Sequence, residues 1–296
     1  MKKSGFHNSM RRAPYIFILP FVISFLLFYF YPIISTVLMS FQEIVPGESR
    51  FIGAANYQKL FSEEFFKALS NSFQYTFFTI LILIPLPIVL AVMLNGGWRK
   101  LNSVYRAMFF LPSLVSVVVA GTVFRLMFAG SGRAVVNSMA GWFGLPPIDW
   151  IMGGGASAMV LMVGVAVWRW VGVNIIYFMS GLQNIPEELY EAAQMDGAGP
   201  VRKFLSITLP LLKPTIIFVT TISIFGGFAM FEESFIFWQT NSPNNSGLTI
   251  VGLIYLKGFQ LGDFGVSSAI GLVLLLIVLA VSLAQLKLFG FFKKED

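Results

Sequence analysis

Aromatic, polar and charged side chains occur together inside two strongly apolar stretches of this 296-residue chain. The six that we single out are Trp168, Arg169, Asn174, Tyr177, Phe228 and Glu232. Aromatic faces stack on the C–H faces of sugar rings, and polar groups bind the ring hydroxyls. We therefore predict that these residues lie along the path of a solute with sugar-like chemistry. Packing and lipid contact compete with this interpretation, because 16% of all residues are aromatic.

Arg169 raises a separate question, because an ionisable group at membrane depth faces a cavity or a partner rather than lipid. At a helical rise of ~1.5 Å per residue, Arg169 lies ~16 Å and Glu232 ~27 Å from the same side of the membrane. A direct ion pair between them therefore requires an extended arginine or a kinked helix. Backbone carbonyls, a partner subunit and an anionic solute are the other candidate contacts. We favour a structural or gating role for Arg169 over solute binding.

Several kinds of chemistry are excluded by residue types that the chain lacks. It has no cysteine and one histidine, His7, which excludes thiol chemistry and histidine-rich metal sites. No Gly-Lys dipeptide occurs, so the chain has no phosphate-binding loop of the Gly-x-x-x-x-Gly-Lys-Ser/Thr type. The adjacent Glu232 and Glu233 would point about 100° apart on a helix, which is a poor arrangement for a catalytic pair. An intramembrane enzyme is therefore disfavoured.

The elements that carry these residues are apolar helices long enough to cross a membrane. The mean hydropathy is +0.78, and 56% of residues are hydrophobic against 11% charged. About 20 apolar residues in a helix span ~30 Å of hydrocarbon. Six such stretches are predicted, at about 14–41, 70–94, 106–128, 157–179, 214–238 and 266–289. The predicted fold class is an all-α membrane protein with six transmembrane helices, the first retained as an anchor.

Basic residues predict how these helices are oriented. Most of the 20 Lys and Arg fall near the two termini and in the loops 95–105 and 180–213. Short cytoplasmic loops are enriched in Lys and Arg. We therefore predict cytoplasmic segments at 1–13 and 291–296, a transmembrane domain at 14–290 and a cytoplasmic loop at 180–213. This orientation, rather than binding to nucleic acid, accounts for the net charge of +6.

The loop 180–213 encodes two short helices joined by a turn. Pro186 is preset for the first turn of a helix. Gly197 is predicted to end this helix, because glycine tolerates the left-handed backbone of a helix end. Pro200 is predicted to begin the second helix and Pro210 to end it. Small and apolar residues on a helix outside the membrane are typical of a docking element.

The spacing of residues in this loop resembles that of a known family. The residues that carry the resemblance are Glu191, Ala192, Ala193, Gly197, Ile207, Leu209 and Pro210. They fit the EAA loop of permease subunits in binding-protein-dependent ABC importers. The wider run 181–193 is similar to the carbohydrate branch, the maltose- and glycerol-phosphate-permease-like subunits. Residues 15–20 resemble the first of two paired permeases, and the run 51–57 also looks like this family.

This resemblance implies that the loop is a coupling helix seated in a cleft of a separate ATPase subunit. The residues implied in coupling are Glu188, Glu191, Ala192, Ala193, Asp196 and Gly197. The implied partners are a second homologous permease, two ATPase subunits and an extracytoplasmic solute-binding protein, in a bacterial cytoplasmic (inner) membrane. A carbohydrate would move inward by alternating access. The chain would be no enzyme and hold no cofactor, because the ATPase binds ATP and Mg.

Two other transport classes stay open. One is an ABC permease for a non-sugar solute such as an amino acid, a peptide or a metal ion, against which the run 181–193 argues by resemblance. The other is an ion-coupled secondary transporter or channel. Such a protein would need no EAA loop, and few acidic residues are centrally placed in the spans to carry protons or sodium.

Overall fold

The computed structural model describes residues 4–45, 47–96, 99–239 and 241–290, which are mostly helical. Five segments are long and apolar enough to cross a membrane, and there are six if one bent pair of helices counts as a single span. The five are Ala13–Met39, Glu63–Asn95, Gly155–Leu182, Lys213–Trp238 and Phe264–Leu288. The prediction of a helical, multi-span membrane protein is confirmed. The predicted tail 291–296, and residues 1–3 of the predicted N-terminal segment, lie outside the described residues.

The chain divides into two compact units, of which the first comprises Met1–Phe61 and Ile254–Val273. Its N-terminal elements are α1 (Ser4–Phe25), a π-helical turn (Leu26–Phe30), α2 (Tyr31–Met39), β1 (Gln42–Val45), β2 (Glu48–Phe51) and α3 (Ala55–Lys59). The two strands form an antiparallel hairpin. None of the most apolar window of the first span is buried. A helix exposed on all sides in this way suits lipid on every face.

A buried asparagine organises the backbone after the first span. Asn56 is fully buried, and its Nδ2 donates to the carbonyl oxygens of Ser40 at 3.0 Å and Gln42 at 2.8 Å. The Tyr57 hydroxyl and Ser40 Oγ lie 2.8 Å apart. These bonds satisfy backbone groups between the end of α2 and the start of β1 that no ladder or helix bond reaches. They explain the Asn-Tyr pair of the run 51–57.

The second unit comprises Ser62–Leu253 and Leu274–Asp296. Its helices are α4 (Glu63–Leu83), α5 (Pro85–Asn95), α6 (Arg99–Leu114), α7 (Val117–Met127), α8 (Val135–Gly141), α9 (Gly155–Leu182), α10 (Glu187–Met195), α11 (Pro200–Lys203), α12 (Leu209–Leu211), α13 (Lys213–Phe228) and α14 (Glu232–Trp238). The helices α15 (Ile250–Tyr255) and α16 (Phe264–Leu288) belong partly to each unit. Short π turns occur at Phe204–Thr208 and Leu256–Gln260.

The longest helix, α9, forms the core of this unit. In the most apolar part of α9, 61% of the residues are buried. The corresponding fraction is 28–33% in the spans Glu63–Asn95, Lys213–Trp238 and Phe264–Leu288. Gly172 lets α9 approach α6 closely, because a Cβ at this position would overlap the carbonyl group of Phe109. The fourth span is therefore packed against protein on most sides, as a helix that carries a buried charge must be.

The third predicted span is not one helix. The predicted stretch 106–128 consists of α6 and α7, and their apolar parts meet at an angle of 96°. The chain is extended at Ser116, where ψ is 137°. Pro112 lies inside α6 three residues before the break and has no amide hydrogen, so the Met108 carbonyl loses its usual helical partner. The prediction of a continuous span is therefore wrong here.

Candidate functional site

A cavity of about 440 Å³ lies within the second unit, bounded by α4, α9, α13 and α14. Its aromatic lining comes from Tyr75, Trp170, Tyr177 and Phe231. Its polar and charged lining comes from Thr79, Arg169, Asn174, Ser223, Glu232 and Glu233. Rings with a few hydrogen-bonding groups among them suit a ligand that has both apolar faces and hydroxyls.

The most buried ionic contact of the cavity wall joins α9 to α14. Arg169 Nη1 donates to Glu233 Oε1 at 3.0 Å, and the two side chains are only 11% and 8% exposed. The Arg169 guanidinium also lies 5.4 Å from the centre of the Trp170 ring. The guanidinium is thus neutralised by a carboxylate and stacked on an aromatic face, both favourable contacts for an arginine away from water.

The partner of Arg169 is Glu233, not the Glu232 that the sequence analysis considered. Helix α13 ends at Phe228, and the chain is non-helical before α14 begins, with φ −139° and ψ −50° at Phe231. The membrane depth estimated for Glu232 assumed one continuous helix, so that estimate does not hold for residues after Phe228. The break also turns Glu233 inward, where it is 7% exposed, while Glu232 stays exposed. Solvent therefore reaches Glu232 but hardly reaches Glu233.

Asn174 has a structural partner at the break between α4 and α5. Its Nδ2 donates to the Leu83 carbonyl oxygen at 2.8 Å. In an unbroken helix that carbonyl would accept from residue 87, which is a proline and has no amide hydrogen. Asn174 thus satisfies a buried acceptor that the proline leaves unpaired. One of its two amide hydrogens is therefore used in this structural bond.

Four of the six predicted path residues line the cavity, namely Arg169, Asn174, Tyr177 and Glu232. The other two lie outside it. The Trp168 ring packs 5.3 Å from that of Phe124, and the Phe228 ring meets Phe73 edge to face at 4.8 Å. For these two, packing is the better interpretation.

The sequence analysis did not select Tyr75, Thr79, Trp170 and Glu233 as path residues. Tyr75 and Thr79 are four residues apart and so share one face of α4. A polar stripe in that span, which continues through Asn71, Ser72 and Thr76, was the available signal. It could have shown that α4 presents a polar face to protein.

The loop after α9 contains the two short helices that were predicted, α10 and α11. Gly197 has φ +76°, the left-handed conformation expected at a helix end, and Ala198 N donates back to the Ala193 carbonyl oxygen at 2.8 Å. Pro200 begins α11 as predicted. Pro210 does not end it, because a π turn at Phe204–Thr208 carries the helical path on to α12 and then α13.

The predicted coupling residues lie on the surface of this loop. Glu188, Glu191, Ala192, Asp196 and Gly197 are exposed, and Ala193 is half-buried. Met195 is 88% exposed and Leu189 is 43% exposed. Exposed apolar side chains on this helix are compatible with the predicted docking role, which stays a prediction.

Two side-chain contacts hold the loop together. The Tyr190 hydroxyl lies 2.9 Å from Thr208 Oγ1, and Lys203 Nζ donates to Gln194 Oε1 at 3.0 Å. Both join α10 to the segment that leads into α13. The surface of α10 is therefore fixed relative to the start of the fifth span.

No group of three or more His, Cys, Asp or Glu side chains suited to a metal ion occurs among the residues that the structure describes.

The family model for inner membrane components of binding-protein-dependent transport systems matches residues 84–288. The chain belongs to this family. The match includes α9, the loop and α14, so it covers most of the cavity wall and all of α10. The predicted membership in the binding-protein-dependent importer permeases is thereby confirmed, and the role of the loop stays a prediction.

Relatives of this permease serve sugar transport. It is 50% identical over 297 residues to the arabinooligosaccharides transport system permease protein AraP of Bacillus subtilis (strain 168), covering 99% of this chain and 95% of that protein. It is 32% identical over 276 residues to the lactose transport system permease protein LacF of Rhizobium radiobacter, covering 92% of each. The chain is a permease of the sugar ABC-transport type.

A solved structure has the same fold. A chain of a bacterial ABC transporter involved in the import of the acidic polysaccharide alginate superposes with a TM-score of 0.85 at 25% identity, covering 98% of this permease and 99% of that chain.

Proposed function

We propose that this permease forms the transmembrane pathway of an ATP-driven importer for arabino-oligosaccharides. An extracytoplasmic binding protein delivers the sugar, and a second homologous permease completes the pathway. Two separate ATPase subunits bind ATP and Mg, and the loop 180–213 couples their closure to alternating access. Both termini and the loop lie on the cytoplasmic side of the inner membrane. The sugar class is taken from the relative that shares half of its residues with this chain.

The observation that carries this proposal is the exposed docking helix α10. It follows the longest span and precedes the fifth, and none of its residues is buried. A helix with Met195 and Leu189 on its surface has apolar area that a partner can cover. The charge pattern of the loop supports a cytoplasmic position, where an ATPase is located.

The helical path from the loop to the cavity suggests how coupling works. From α11 the chain continues through the π turn and α12 into α13, which ends beside the cavity at Phe228. The break before α14 then places Glu232 and Glu233 in the cavity wall. In this proposal, a displacement of α10 is transmitted through the Tyr190–Thr208 contact to α13 and so to the cavity wall.

Transport by the reconstituted importer tests the function. The permease is assembled in proteoliposomes with its partner permease, ATPase and binding protein, and uptake of labelled arabinotriose is measured. We expect uptake that requires both ATP and the binding protein. Uptake driven by a proton or sodium gradient without ATP would instead support a secondary transporter.

Orientation can be tested separately, because the chain has no cysteine. Single cysteines are introduced as Met195→Cys in the loop and as Trp142→Cys, whose residues are 88% and 81% exposed. We expect a membrane-impermeant maleimide to label the Trp142→Cys variant in spheroplasts and the Met195→Cys variant in inverted vesicles. The ATPase subunits should protect the second variant from labelling. Labelling of Met195→Cys from outside would contradict the proposed topology.

A further inference from the structure

The charges of the cavity wall distinguish acidic from neutral sugars. Among the described residues, three charged side chains line the cavity, one cation and two carboxylates: Arg169, Glu232 and Glu233. The charge of the cation is neutralised by Glu233, because Arg169 Nη1 donates to Glu233 Oε1 at 3.0 Å and both side chains are almost fully buried. The pair Arg169–Glu233 therefore contributes little net field to the cavity.

The remaining charge is that of Glu232. It is exposed, and it belongs to neither of the two ion pairs found among the described residues. A carboxylate accepts hydrogen bonds from hydroxyl groups and repels another carboxylate or a phosphate. A cavity wall with one unpaired carboxylate thus attracts the hydroxyls of neutral sugars and repels anions.

We propose that Glu232 is a specificity-determining residue that makes this wall select uncharged oligosaccharides against uronic-acid sugars. The inference rests on the proposed function of the cavity as the sugar pathway. At separations of roughly 6–8 Å and an effective dielectric constant between those of a protein surface and water, one like charge weakens binding on the order of tenfold.

Direct binding of sugars to the membrane complex tests this selection. The binding protein is left out, because it would add its own sugar selectivity to the measurement. The permease complex in nanodiscs is titrated calorimetrically with arabinotriose and with a trisaccharide of equal length that ends in a uronic acid. We expect the neutral sugar to bind on the order of tenfold more tightly, with a ratio that falls as salt rises, because exposed charges are screened.

Substitution assigns the effect to one residue. Glu232→Gln keeps a hydrogen-bond acceptor but removes the charge, so it should bring the ratio of the two affinities close to one. Glu48→Gln, which removes an exposed carboxylate on β2 outside the cavity lining, should leave the ratio as in the wild type.

Equal binding of both sugars to the wild type, or an unchanged ratio in Glu232→Gln, would overturn this inference while arabinotriose uptake still supported the proposed function. Failure of both sugars to bind, together with no uptake of arabinotriose, would overturn the proposed function and this inference with it.

Discussion

Arg169 and Glu233, which lie 64 positions apart in the chain, form an ion pair at 3.0 Å with both side chains almost fully buried. Burying two charges costs several kcal/mol each in solvation, and a close contact offsets most of that cost. Such a pair therefore adds little stability as a whole. Each partner is nevertheless essential while the other is present, because a single removal leaves an uncompensated buried charge.

This asymmetry predicts the stability of three variants. Arg169→Met and Glu233→Met should each lower the free energy of unfolding by about 3–5 kcal/mol, whereas the double variant should recover most of the loss. Unfolding of the purified complex, followed by heat or by titration with a denaturing detergent, measures the difference. Lys59→Gln is the control, since its pair with Asp263 is 3.8 Å long and about half exposed. Its removal should cost only ~0–1 kcal/mol. A double variant as unstable as the single ones would argue against this account.

Gly197 predicts a coupling defect that differs from a folding defect. Gly197→Glu places a charged side chain at φ +76° on the proposed docking surface. We expect arabinotriose uptake and the stimulation of ATPase activity by the binding protein to fall at least tenfold, with normal amounts of assembled protein. Gly144→Glu is the control for backbone strain without docking. Gly144 has φ +73° and similarly open surroundings, but it lies in a different loop. Equal defects in both variants would mean that backbone strain, not docking, is responsible.

The contact between Asn174 and Leu83 predicts a double-mutant cycle. Asn174→Leu should destabilise the permease by about 1–3 kcal/mol, because the buried Leu83 carbonyl loses its donor. Pro87→Ala restores an amide hydrogen four residues after Leu83, so the same asparagine substitution should cost less in a Pro87→Ala background. The coupling energy comes from the unfolding of all four proteins. Strictly additive effects would show that the proline is not the reason for this hydrogen bond.

The bond between Tyr190 and Thr208 predicts a loss of coupling without loss of the fold. Both Tyr190→Phe and Thr208→Val remove the 2.9 Å contact, and we expect each to reduce uptake per ATP hydrolysed several-fold, with no further loss in the double variant. Tyr29→Phe is a matched control on the first span, where the side chain is 65% exposed. Tight coupling in both single variants would contradict transmission through this contact.

Hydropathy and turn chemistry explain what the sequence predicted well. Five spans were predicted correctly because an apolar stretch of this length has few possible structures other than a transmembrane helix. The turn at Gly197 was predicted correctly because glycine readily adopts φ +76°. The orientation of the spans and the roles of the loop residues stay predictions. They depend on the membrane and on partner subunits rather than on the chain alone.

The breaks in the third and fifth spans could not be read in the same way. Pro112 weakens the third span before Ser116 but does not by itself give the angle of the bend, and the segment Ala229–Phe231 of the fifth span contains neither glycine nor proline. The choice of Glu233 over Glu232 depends on the second break, so the partner of Arg169 could not be derived from helical spacing. The path residues Tyr75 and Thr79 were missed because the polar stripe to which they belong lies in a second span that was read for its hydropathy alone.

The distance along the chain between Arg169 and its partner has a consequence for biosynthesis. At about 5–20 residues per second, the ribosome needs roughly 3–13 s after making the arginine before it makes Glu233. Throughout that interval the fourth helix carries a lone guanidinium, which makes its transfer from the insertion machinery into lipid unfavourable. We therefore expect the nascent fourth helix to stay beside the translocon or another helix until the fifth is synthesised, and the two helices to enter the bilayer as a pair.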